Sequence, residues 1–123
     1  MTNIESILNL HGFTLINCDS SNNFGDYFKI YKWKDIEIRI VNSKSQLSFD
    51  IRKKNFEWFD LGIIKNMIYN DKNLNNKFEL TDFYNLNIDK IKILFDNLNY
   101  KKTENKLIQL EKLRSKQIFK ECN

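Results

Sequence analysis

The side chains with the greatest capacity for chemistry are a single histidine, His11, and a cysteine seven positions later, Cys18. A thiol beside an imidazole can act as a nucleophile when a third group orients the imidazole, but the neighbouring sequence offers none. A histidine-based metal site needs two or more histidines or cysteines at close spacing, and the second cysteine, Cys122, is distant. We therefore predict no catalytic residue, no metal site and free thiols.

Carboxylates are the second group of side chains that could take part in catalysis. Asp26 and Asp35, with Glu37 two residues before Arg39, are similar to the acidic residue and Glu-x-Lys of restriction-type nucleases. Metal-assisted cleavage needs converging carboxylates and a cation, but an arginine in place of lysine cannot serve as a base. The three glycines form neither a phosphate-binding loop nor a nucleophile elbow. The chain is therefore not predicted to be an enzyme or to bind a cofactor.

Basic residues concentrate at the end of the chain. Residues 99–123 carry seven lysines and arginines against three acidic residues, which accounts for the whole net charge of +4. On a helix, Lys112, Lys116 and Lys120 share one face, with Lys106 nearby. Such a stripe can follow the phosphates of a nucleic acid, with strongly salt-dependent affinity. It can equally be the solvated face opposite a core stripe of Leu107, Leu110 and Ile118.

Residues 27–52 have the pattern of antiparallel strands, which would position most of the remaining charges. Segments 27–33, 36–41 and 47–52 are rich in β-branched and aromatic residues, and apolar residues alternate with charged ones. A turn at Lys34–Asp35 places Lys32 opposite Glu37, and a turn at 43–46 completes the cross-strand register. One sheet face is then apolar, whereas the other is charged and is expected to need partial cover by a helix or a partner. The predicted pairs on the charged face are Arg39 with Asp50 and Glu37 with Arg52, beside the apolar Phe28, Ile30 and Val41.

Helical patterns flank this sheet. Thr2 is predicted to cap a helix over 2–11, and a second helix covers 60–70. An apolar stripe that includes Phe95 and Leu98 begins a helical region over 87–120, which is either one helix or two. We predict a single α+β domain over 1–123, whose antiparallel sheet of three to four strands lies mainly in 13–52. This sheet packs with an N-terminal helix, a middle helix and C-terminal helices.

We expect no signal peptide at the N-terminus and no membrane span. The N-terminus lacks a basic segment followed by an apolar run, and no stretch approaches the ~20 apolar residues of a membrane span. At 41% hydrophobic residues the chain can build a core. We expect a cytoplasmic protein without membrane contacts.

Four segments resemble the small bacterial immunity proteins encoded beside polymorphic or contact-dependent toxins. They are Phe24-Gly25-Asp26-Tyr27, Ile36-Glu37-Ile38-Arg39-Ile40-Val41, Ser48-Phe49-Asp50-Ile51 and Trp58-Phe59-Asp60-Leu61. Where such families keep Asp-Arg-Gly in a turn, this chain has Asn42-Ser43-Lys44-Ser45-Gln46. The resemblance covers about the middle 40% of the chain. It implies a non-catalytic inhibitor that binds and neutralises a cognate protein toxin.

The charged sheet face is the expected contact surface for that toxin. Its candidate residues are Lys32, Glu37, Arg39, Asp50 and Arg52, with Phe56 and Trp58 as aromatic anchors. Two alternatives remain open: a nucleic-acid-binding accessory protein that uses Lys106, Lys112, Lys116 and Lys120, and a phage-encoded inhibitor of a bacterial defence enzyme. The sequence does not indicate the oligomeric state.

Overall fold

The protein is an α+β fold in which one antiparallel sheet carries four helices. Its structure, a computed structural model, describes residues 4–20, 26–44, 46–71 and 79–122, with side chains as far as residue 117. The strands are β1 (Thr14–Ser20), β2 (Tyr27–Trp33), β3 (Ile36–Ser43), β4 (Gln46–Lys53) and β5 (Phe59–Asp60). The helices are α1 (Ile4–Leu10), α2 (Leu61–Tyr69), α3 (Leu80–Leu94) and α4 (Tyr100–Cys122).

The sheet has five strands in the order β1-β2-β3-β4-β5, each antiparallel to its neighbour. The prediction of three to four strands was therefore wrong. The extra strand, β5, has two residues, which is too short for an alternating pattern to reveal. In addition, β1 is a strand of seven residues that extends through Cys18 to Ser20.

The predicted register is confirmed at the pairs it named. Lys32 lies opposite Glu37 across β2 and β3. Arg39 lies opposite Asp50, and Glu37 opposite Arg52, across β3 and β4. Two-residue connections fix both hairpins, so a slip by one residue would turn every apolar side chain to the wrong face.

All four helices bury their apolar side chains against one face of this sheet. The core contains Ile38, Ile40, Phe49 and Ile51 from the central strands. Against them lie Leu8 of α1, Ile64 of α2, Ile88 of α3 and Leu107 of α4, all at most 2% exposed. This burial, at about 25 cal/mol per Å² of apolar surface, is the main favourable term of folding.

Helix boundaries differ from the sequence prediction where capping groups intervene. Asp60 is the N-cap of α2, and its side chain accepts from the amide of Ile63 at 3.0 Å. The Glu79 carboxylate accepts from the amide of Asp82 at 2.7 Å, so α3 begins well before residue 87. The proposed cap Thr2 lies outside the described residues, as do Phe24, Gly25 and Ser45.

The C-terminal region contains two helices. Asp96 accepts a hydrogen bond from the amide of Asn99 at 2.8 Å, and this turn separates α3 from α4. Leu98, which was predicted to continue the apolar stripe, is 94% exposed in that turn, whereas Phe95 is fully buried. The stripe prediction was wrong for Leu98 because the helical spacing does not continue past Phe95.

Candidate functional site

The candidate site is the sheet face that points away from the helices, here called the open face. It is formed by alternate residues of β2, β3 and β4, whose neighbours in sequence point into the core. No helix among the described residues covers it, because all four contribute their buried side chains to the opposite face. Its residues are Phe28, Ile30, Lys32, Glu37, Arg39, Val41, Asp50 and Arg52.

Two cross-strand ion pairs form the charged half of the open face. The Arg39 guanidinium donates to Asp50 Oδ2 from Nε at 3.2 Å and from Nη2 at 2.9 Å. Arg52 Nε donates to Glu37 Oε1 at 2.7 Å. Glu37 is only 6% exposed, so this carboxylate depends on Arg52 for the interactions that water would otherwise supply.

Trp58 lies over both arginines. The guanidinium carbons of Arg39 and Arg52 are 4.5 Å and 4.4 Å from the centroids of its rings, within cation–π range. The indole therefore holds two planar cations side by side against the sheet. The sequence selected Trp58 as an aromatic candidate on this face, but its spacing gave no signal for the stacking.

Lys32 behaves differently from the two arginines. It lies opposite Glu37 in the register, but the Glu37 carboxylate is bonded to Arg52. Among the described residues, the Lys32 ammonium group has no ion-pair partner. It is therefore the cation of the open face that remains available for a carboxylate of a partner.

The other half of the open face is apolar. Phe28 and Ile30 of β2 and Val41 of β3 are neighbours in the register, since Phe28 lies opposite Val41. All three are partly exposed, and none belongs to the buried core. The face thus combines an apolar patch with a rigid charged patch whose arginine and carboxylate charges compensate each other.

Phe56 does not join Trp58 on this face, contrary to the prediction. Its ring centroid lies 5.0 Å from that of Tyr100, the first residue of α4. Tyr100 also lies under the ammonium group of Lys53, at 5.7 Å from its ring centroid, on the helix-packed side of the sheet. Asn55 has a left-handed backbone (φ 73°), and the irregular chain between β4 and β5 carries the two aromatic residues to different surroundings.

The basic helix α4 provides the alternative surface. Lys106, Lys112 and Lys116 are exposed on this helix, as nucleic-acid binding requires. The side chain of Lys120 lies outside the described residues. Arg114 on the same helix is engaged within the fold. Its Nη1 and Nη2 atoms donate to the two oxygens of Asp60 at 3.1 Å and 2.6 Å. The sequence did not reveal this pair, which joins α4 to the N-terminus of α2 and raises the pKa of Arg114 further.

The residues with nucleophilic or metal-binding potential lie elsewhere. Cys18 is exposed on β1, and the His11 ring packs edge-on against Tyr84 at 5.5 Å between centroids. Within the described ranges, no group of three or more histidine, cysteine or acidic side chains could hold a metal ion. In the same part of the chain, no helix has both the length and the apolar character needed to cross a bilayer.

Comparison with known proteins identifies no relative of this chain. No protein-family model, no curated protein and no solved structure matches this chain.

Proposed function

We propose that this chain is a non-catalytic binding protein that neutralises a cognate bacterial toxin in the cytoplasm by occupying it with the open face. One observation carries the proposal: a sheet face that no helix of the described residues covers presents an apolar patch beside two arginines held under a tryptophan. Tryptophan and arginine are the residues most enriched at the energetic centres of protein interfaces. The resemblance to immunity proteins supplies the class of partner.

The electrostatics of the open face favour a protein surface over a small charged ligand. Because Arg39 and Arg52 are already paired with Asp50 and Glu37, a partner need not supply carboxylates for them. Lys32 has no ion-pair partner among the described residues, so a carboxylate of the partner can pair with it across the interface. A largely apolar partner surface with one carboxylate placed for Lys32 fits this arrangement.

The two ion pairs within the open face also determine which substitutions can test the interface. Changing both Arg39 and Arg52 to Glu would place four carboxylates together on one face. That variant would unfold and reveal nothing about binding. A substitution at Phe28, which lies opposite Val41, and a neutral substitution at Lys32 leave both ion pairs in place.

The test uses the toxin recovered with this chain from the native host and then purified. Phe28→Asp should weaken binding about 30-fold or more, since it puts a charge into the apolar patch. Lys32→Gln should weaken binding about fivefold, mainly through the association rate. Leu98→Asp is the matched control, since Leu98 is 94% exposed on the helical side. If the Phe28 variant is folded and binds like the wild type, this assignment fails.

Nucleic-acid binding by α4 is the second candidate, because Lys106, Lys112 and Lys116 are all exposed. Binding through phosphates would weaken steeply with salt, and Lys112→Gln with Lys116→Gln would reduce that slope by about two. The absence of binding to any nucleic acid at low salt would exclude this candidate. An inhibitor of a bacterial defence enzyme would use the open face in the same way, so the identity of the recovered partner separates it from a toxin antagonist.

A further inference from the structure

A cleft of about 270 Å³ lies between α2, α3 and the start of α4, away from the open face. Met67 and Ile68 of α2 and Leu94 of α3 give it an apolar floor. Three lysines, Lys90 of α3 with Lys102 and Lys106 of α4, line it as well. Below, this cavity is called the helical cleft.

The helical cleft has a strong excess of positive charge. None of its lining residues is acidic, and its three lysines have no ion-pair partner in the part of the chain that the structure describes. Two carboxylates of neighbouring turns are engaged elsewhere, since Asp96 is bonded to Asn99 and Asp71 pairs with Lys65. Three like charges on two packed helices repel one another, and an anion bound between them would relieve that repulsion.

A buried hydrogen bond makes the helical cleft a preformed site. The Thr103 hydroxyl donates to the carbonyl of Leu94 at 2.6 Å, which ties the end of α3 to the first turns of α4. Thr103 is only 2% exposed, so this bond is shielded from water and fixes the separation of the lysine-bearing helices.

We propose that the helical cleft binds an organic phosphate, with the phosphate held by the lysines and an uncharged part of the ligand against the apolar floor. The volume lies just below the range of about 300–1,000 Å³ of small-molecule sites, so a larger ester would extend beyond the cleft. An apolar floor beneath the lysines distinguishes this site from a merely solvated basic patch, which has no place for an uncharged group. The proposal is independent of the toxin-binding function, because no open-face residue lines the helical cleft.

The test is a titration followed by NMR of methyl groups, which reports binding at the floor itself. Adenosine diphosphate is the first probe, with ribose 5-phosphate as a smaller ester. Adenosine is the matched ligand without phosphate, and pyrophosphate is the matched ligand without an apolar part. We expect the Met67, Ile68 and Leu94 methyl signals to shift with both esters, and with pyrophosphate only at higher concentration. A 5′-phosphorylated dinucleotide tests whether the ester belongs to a free metabolite or to the end of a nucleic acid.

Variants separate a defined site from diffuse charge. Lys102→Gln should weaken binding of adenosine diphosphate about tenfold, because it removes a charge-assisted contact. Lys112→Gln is the matched control on an exposed position of the same helix that does not line the helical cleft, and it should change affinity less than twofold. Equal losses in the two variants, equal affinity for pyrophosphate and the esters, or no methyl shift with either ester would overturn the proposal.

Discussion

Loss of Arg52 should destabilise the fold strongly, even though the residue lies on a surface face. In Arg52→Gln the Glu37 carboxylate, 6% exposed, loses its bond at 2.7 Å and stays buried without its partner. Breaking a fully buried ion pair costs about 3–5 kcal/mol. We place this loss at about 2 kcal/mol, because Arg52 is 29% exposed at its side chain and Lys32 lies opposite Glu37. For a domain of this length that corresponds to a melting temperature lower by about 7 °C.

Urea and thermal unfolding followed by circular dichroism measure this difference directly. The double variant Glu37→Gln with Arg52→Gln removes the buried charge, and we expect it to recover most of the lost stability. Lys32→Gln is the matched control on the same face, and it should stay within about 0.5 kcal/mol of the wild type. The reasoning is refuted if Arg52→Gln loses less than about 0.5 kcal/mol, or if the double variant is no more stable than the single one.

Three further predictions concern the packing that supports the open face. Gly12→Ala should lose about 2 kcal/mol in urea unfolding, because Gly12 has φ +89° and an added Cβ would lie 2.9 Å from Trp33; a wild-type midpoint would contradict this. Phe95→Ala should lose about 3–5 kcal/mol, whereas Leu98→Ala should stay within about 0.5 kcal/mol; equal losses would disprove the helix break between them. Lys29 donates a hydrogen bond to Glu5 and lowers the pKa of Glu5 below 4.5. The stabilisation that this bond supplies is therefore present above pH 4.5 and is lost as the pH falls through the folded-state pKa of Glu5. Glu5→Gln should therefore make the melting temperature less sensitive to pH between about 5 and about 3, and an unchanged pH profile would count against that linkage.

The sheet register could be predicted because local and cross-strand signals agree. The turn at Lys34–Asp35 and the alternation of β3 and β4 admit one pairing in which Arg39 meets Asp50 and apolar residues share a face. Which of the two cations, Lys32 or Arg52, bonds to Glu37 could not be predicted in this way. Register places both Lys32 and Arg52 beside Glu37, but the three-dimensional positions of the side chains decide which one bonds to it.

Contacts made by irregular segments could not be predicted from the sequence. Phe56 and Trp58 are two residues apart, but the chain between β4 and β5 has no period from which their directions follow. Leu98 fits the helical spacing of α3, but the bond from the Asn99 amide to Asp96 belongs to a turn in which that spacing no longer holds. The three lysines of the helical cleft are brought together by the turn between α3 and α4 and by the hydrogen bond from Thr103 to Leu94, and only Lys106 was among the predicted basic residues.

The most direct test of the central claim is a lysine footprint of the purified complex between this chain and its toxin. The free protein and the complex are acetylated briefly, and the modified lysines are quantified by mass spectrometry. The account predicts that Lys32 becomes protected in the complex, whereas Lys112 and Lys116 on α4 react as they do in the free protein. Protection of Lys112 and Lys116 with an unchanged Lys32 would contradict it and move the binding surface to the basic helix.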